Sequence, residues 1–209
     1  MARAFHRKRA LGRSAGARAR RGVIEGQLDV AERALLRSLF EQTRVLLESV
    51  PGQPDANPES ADGPPDLEAI VARATAALDG PGDDPALQRL LPDGHRDDPL
   101  ASAEFRRRSA GSVRQGKLDR IEIAVACLDA ADEQGRIQLE PNQAGAFVVA
   151  LTDVRLVLGQ RLGLHTEEDM DAIEDELAAA DDADPRVGLL LAYDFTTWLQ
   201  EGLSQSLLP

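Results

Sequence analysis

Few residues in this chain have the type and spacing that chemistry needs. Cys127 is the single cysteine, and the three histidines, His6, His95 and His165, fall in unrelated segments. One thiol excludes an intramolecular disulfide framework and any zinc site built on clustered cysteines. No HExxH pair, P-loop or GxGxxG fingerprint occurs, so zinc-protease and nucleotide-binding chemistry have no signature. Cys127 lies on the apolar side of a stripe formed by Leu118, Ile121, Val125 and Leu128, with Asp129 and Asp132 nearby. A reactive thiolate needs cations beside it, so Cys127 reads as a small core hydrophobe that keeps a possible redox role. The stretch Asp129–Glu140 imitates a calcium loop: with Gly135 at position 6, Ile137 falls at 8 and Asp132 at 3. Position 1 is then Ala130 and position 12 is Pro141, so the first ligand and the bidentate carboxylate are both missing. No metal and no cofactor are expected.

Charge is the second chemical feature. The 209 residues carry 24 Lys+Arg and 36 Asp+Glu, a net −12. Residues 1–21 hold eight cations and no acid, a segment charge of +8, so the rest of the chain carries −20. From Ile121 onward, 18 acids face four arginines. A surface of that sign repels the phosphate backbone, which disfavours general nucleic-acid binding. Two basic clusters remain as anion contacts: the 1–21 segment, read as a flexible arm, and Arg106–Arg108 with Arg114, Lys117 and Arg120. No apolar run approaches the length of a membrane span, and no apolar core follows the basic N-terminus as in a secretory signal. Together with the lone cysteine, this makes a cytoplasmic protein the expectation.

The most organised polar residues lie in Leu151–Gly163, where Asp153, Arg155 and Arg161 flank an apolar stripe. Arg155 is expected to pair with a carboxylate of a neighbouring helix such as Asp194. Gly159 inside a helix costs about 1 kcal/mol against Ala, which points to close approach of another helix.

The elements that must position these residues are mostly helices. Asp29 with Glu32 forms a capping-box pattern before a helical stripe from Leu35 to Leu47. Residues 51–66 hold five prolines and no apolar period, a solvated loop, and short helices are expected at Leu67–Leu78 and Pro85–Leu91. A long helical region from Pro99 to about Asp132 is expected to break near Gly111 and Gly116. Pro141 opens the next helix and Gly163 closes it. A short acidic helix follows Thr166, and a final one follows Asp184-Pro185 through Trp198 to Leu203. Two short β-branched stretches, Val23–Leu28 and Arg136–Leu139, each precede a helix and pair into a ribbon, since a lone strand leaves its backbone groups unsatisfied. The expected fold is mainly α, a compact helical domain over 22–209 with a minor two-stranded β element.

Leu151-Thr-Asp153-Val-Arg155-Leu-Val-Leu-Gly159-Gln-Arg161-Leu-Gly163 resembles the L-N-D-L-R-L-x-L-G-x-R-L-G signature of the actinobacterial DUF2017 family. Tyr193–Glu201, with Trp198, Leu199 and Gln200, is similar to the closing element of that family. Glu32–Leu39, Asp98–Leu100 and Glu104–Arg106 fit its opening and middle. The resemblance implies a non-enzymatic transcriptional regulator of the oxidative-stress, AosR-like type, acting with an alternative sigma factor and sensing redox state through paired cysteines. With Cys127 alone this chain has no such pair, which leaves only an intermolecular disulfide or thiol oxidation. No catalytic residues carry over. Asp153, Arg155, Gly159, Arg161, Trp198 and Gln200 match signature positions and are expected to brace the fold or to contact a protein partner. A direct DNA-binding regulator using the basic arm, or a structural adaptor, stands as the alternative.

Overall fold

The structure is a computed structural model that describes residues 3–7, 22–49, 84–91, 99–178 and 184–208. The Pro-rich segment 51–66 and the expected helix Leu67–Leu78 lie outside the described residues. Among the described residues there are six helices and three strands.

Strand β1 (Arg3–Arg7) pairs antiparallel with β2 (Ile24–Gln27), which pairs antiparallel with β3 (Arg136–Leu139). The register sets Arg7 opposite Ile24, and Ile24 opposite Leu139. The expected ribbon of β2 and β3 is therefore present and gains a third strand. Arg3–Arg7, assigned to the flexible arm by its charge, is strand; residues 8–21 of that arm lie outside the described residues. Phe5 explains the difference. It is buried, and its ring covers Gly26, where an added Cβ would stand 2.6 Å from the ring. One aromatic residue among cations is enough to seat the strand, because it buries apolar area that the arginines do not need to enter.

Helix α1 (Val30–Glu48) begins at the Asp29 capping box, in which Asp29 Oδ1 accepts from the Glu32 amide at 2.9 Å and Glu32 returns the bond. Its Leu36, Phe40 and Leu47 are buried. Helix α2 (Pro85–Leu90) is capped by Asp84. Helix α3 (Pro99–Asp129) runs through Gly111 and Gly116 without the expected break. A glycine weakens a helix by about 1 kcal/mol, which long-range packing of Ile121, Ala124 and Leu128 overrides.

Helix α4 (Pro141–Leu162) is the centre of the molecule, packed by α1, α2, α3, β3 and the last helix. Its Phe147 meets Phe40 edge-on at 5.4 Å and Phe5 at 6.2 Å, joining α1 and β1 to one core. Gly163 closes it in the left-handed conformation, φ +79°. Helix α5 (Glu167–Ala178) starts where Asp169 accepts from the His165 and Thr166 amides, both at 2.7 Å. Helix α6 (Pro185–Leu207) is capped by Asp184 and runs antiparallel along α4. The Asp129–Glu140 stretch, which imitates a calcium loop in sequence, contains a tight turn. Asp132 accepts from the amides of Gln134 and Arg136 and pairs with the Arg136 guanidinium at 2.7 Å, so its carboxylate is already used. Gly135 sits there at φ +75°, and a Cβ would lie 2.1 Å from the Leu28 carbonyl oxygen.

Candidate functional site

Asp153 and Arg155 are two residues apart on α4, and that spacing turns them about 200° apart around the helix. They consequently serve different neighbours. Asp153 faces α3 and is 1% exposed. Its Oδ1 pairs with the ammonium of Lys117, while Oδ2 is buried with no hydrogen-bond partner among the described residues. Burial pushes its carboxyl above the ordinary aspartate value, against the positive charges of Lys117 and Arg120.

Arg155 faces α6. Its Nη1 donates to Gln200 Oε1 at 2.7 Å and its Nη2 to the Tyr193 hydroxyl at 3.1 Å. The guanidinium carbon is also 5.0 Å from the centre of the Tyr193 ring, a cation–π contact. Gln200 in turn donates from Nε2 to Thr152 Oγ1 at 2.7 Å, and that hydroxyl donates to the Val148 carbonyl. Each polar atom in this chain of bonds fixes the next, so α4 and α6 are held in one register. The expected pairing of Arg155 with Asp194 is not made: Asp194 is exposed, and the neutral groups Gln200 and Tyr193 take its place. Neutral acceptors take the two terminal nitrogens of Arg155 without burying a second ion, while its Nε is buried with no hydrogen-bond partner among the described residues.

Gly159 lies under Tyr193, where an added Cβ would be 3.6 Å from the ring, ordinary contact distance. Helix α6 does approach there, yet the space also admits a methyl group. Arg161 reaches the Asp84 carboxylate at 2.7 Å and ties the end of α4 to the cap of α2. Arg89 of α2 reaches the same end, donating to Gln160 at 3.2 Å and contacting His165 Nδ1 at 2.8 Å. An arginine only donates, so that histidine nitrogen accepts.

Trp198 behaves differently from the other signature residues. It is 39% exposed and stacks on Phe195, centroids 6.2 Å apart and planes at 23°. Cys127 is 5% exposed inside the core cluster, and burial pushes its thiol pKa up. Of the basic cluster on α3, Lys117 turns inward to Asp153 and Arg120 donates to the Gly116 carbonyl on its own helix. The side chains of Arg106–Arg108 lie outside the described residues. Among the described residues no group of three or more His, Cys, Asp or Glu could hold a metal ion, and no helix is long and apolar enough to cross a membrane.

The structure thus unites Asp153, Arg155, Gly159 and Gln200 in a polar seam through α3, α4 and α6, sets Arg161 at one end, and leaves Trp198 outside. Lys117, Thr152 and Tyr193 complete the seam and were not singled out for it from sequence. A signal for Lys117 existed, since it is one of two lysines in a chain whose other cations are arginine. Neither seam hydroxyl stands beside a base: the Thr152 hydroxyl is given to a backbone carbonyl and the Tyr193 hydroxyl accepts from Arg155.

A mainly α domain with a small antiparallel sheet and a braced α4–α6 pair is the class of protein defined here. The chain belongs to the DUF2017 family, described as a domain of unknown function, whose model matches residues 9–207. It is similar to the oxidative stress regulator AosR of Mycobacterium bovis and of Mycobacterium tuberculosis, 33% identical over 115 residues. That match covers 50% of this chain and 52% of each relative, so the chain spans about half the length of the curated relatives it matches. No solved structure matches it.

Proposed function

We propose that this protein is a non-enzymatic regulator of the oxidative-stress response that works by binding a protein of the transcription machinery, with a sigma factor as the expected contact. The observation that carries this reading is the half-exposed Trp198, stacked on Phe195 in the family-like closing helix while its signature neighbours turn inward. A tryptophan held in place by an aromatic neighbour is the kind of anchor that protein interfaces use. The likeness to proteins named oxidative stress regulators supports the class of role. Cys127 does not supply the redox step in this reading, because a buried thiol with a raised pKa holds little thiolate for an oxidant.

The test is capture of purified RNA polymerase holoenzyme by the full chain, with a DNA mobility shift run in parallel at low salt. Holoenzyme retention without a shift supports the reading. A shift that falls steeply with salt, with no holoenzyme retained, would replace it by direct DNA binding through the basic segments.

A further inference from the structure

The outward flank of α6 has a composition that specifies its partner more closely. The buried line of this helix is Ala192, Thr196, Leu199, Leu203 and Ser206. Tyr193 and Gln200 lie on one side of that line, toward Arg155. On the other side Leu191, Phe195 and Trp198 follow at spacings of four and three, one continuous helical stripe. Leu191 is 65% exposed, an aliphatic side chain left in water beside a half-exposed indole. Asp194 and Glu201, both exposed, stand one turn before and one turn after Trp198. From Val187 to the end of the chain there is no Lys or Arg.

We infer that the Leu191–Phe195–Trp198 stripe with Asp194 and Glu201 is a docking surface for a basic amphipathic helix of a partner protein. This rests on the protein-contact reading above and names the chemistry of the contact. The apolar stripe receives the partner's apolar face, and its cations meet the two carboxylates at the rim, which steer and orient the encounter. The same charges argue against the other occupants. A second copy meeting it through the same face would set Asp194 and Glu201 against like acids with no base between them, and a nucleic acid or anionic membrane would be repelled.

Trp198 is the only tryptophan, so its emission reports on this face alone. The full chain is titrated with a synthetic Leu/Lys amphipathic peptide of about 18 residues, long enough to form a helix on docking, and with a Leu/Glu peptide of the same apolar pattern. The expected result is a saturable blue shift with Leu/Lys and none with Leu/Glu. Asp194→Lys with Glu201→Lys weakens Leu/Lys binding by about tenfold, and Leu191→Asp abolishes the shift while circular dichroism stays helical. An emission that Leu/Lys does not move, or a charge-reversed variant that binds it equally well, would overturn the proposal. So would sedimentation showing a concentration-dependent dimer that Leu191→Asp dissociates, which assigns the face to a second copy. The charge-reversed variant is also tested for capture of RNA polymerase holoenzyme. If it retains the holoenzyme at full strength, this surface is wrong and the protein-contact reading stands; if the unaltered chain retains none, that reading itself fails.

Discussion

Asp153 is the signature residue whose surroundings are most sharply defined, and Lys117 is its partner. The carboxylate is buried and its strongest partner is the Lys117 ammonium. Lys117→Met leaves that charge unpaired, so the expected loss at neutral pH is about 3–5 kcal/mol. The loss shrinks as pH falls, because protonating Asp153 removes the buried charge, and Asp153→Asn added to Lys117→Met restores most of it. Denaturant unfolding of the single and double variants at two pH values measures this. Cys127 gives a second prediction: its thiol reacts with a disulfide reagent on the order of 100-fold more slowly in the folded chain than in denaturant, and peroxide leaves circular dichroism unchanged. Much at this scale was legible beforehand. Cys127 sat on an apolar stripe, and Asp153, Arg155 and Gln200 stood out by family likeness. The partners were not legible, because an arginine that donates to Gln200 and Tyr193 uses neutral groups that no charge pattern reveals.

At the scale of elements, local signals and long-range packing divide the credit. The Asp29 capping box, Pro141, Gly163 and the Asp184 cap set helix ends that could be read from a few adjacent residues. Strand β1 could not, since its existence depends on Phe5 reaching Gly26 and Phe147, both far away in sequence. The continuity of α3 through two glycines is likewise a tertiary effect. Two glycine substitutions separate these causes. Gly135→Ala combines a positive φ with a collision against the Leu28 carbonyl and is expected to cost about 2 kcal/mol or more. Gly159→Ala meets only ordinary contact with Tyr193 and is expected to gain up to about 1 kcal/mol from helix propensity. Thermal melts of both variants check the pair; a destabilised Gly159→Ala would mean that α4 and α6 pack more tightly than the seam requires.

For the whole molecule, a net charge of −12 conceals a division between the cationic segment 1–21, of which Arg3–Arg7 is strand, and an acidic remainder. Many of the acids are structural. The amide of Glu32 holds Asp29, the amide and guanidinium of Arg136 hold Asp132, the His165 and Thr166 amides hold Asp169, and Arg186 holds Asp184, each below the ordinary aspartate value. Groups with lowered values contribute stability that is complete above the ordinary carboxylate range and is lost as pH falls through them. Asp153 has the opposite sign, since its raised value means that protonation relieves a buried charge. With Glu41, Asp84 and Glu168 also lowered, seven lowered carboxyls against one raised among the described residues predict that stability falls below about pH 4, read as a declining melting temperature by circular dichroism. The remaining acids include Asp194 and Glu201, exposed on the outward flank of α6, where they rim the proposed docking face. Composition alone made protein contact the better expectation; the docking face proposed for it on α6 could not be named from composition, because only the packing of α4 against α6 shows which side of the last helix is left in water. The division between a bracing seam and a binding flank is tested most directly by measuring melting temperature and holoenzyme capture together for Arg155→Ala and Trp198→Ala. The predicted result is a lower melting temperature with capture retained by folded Arg155→Ala, and capture lost in Trp198→Ala that is still folded by circular dichroism. The reverse pattern, capture lost in folded Arg155→Ala and retained in Trp198→Ala, would contradict it.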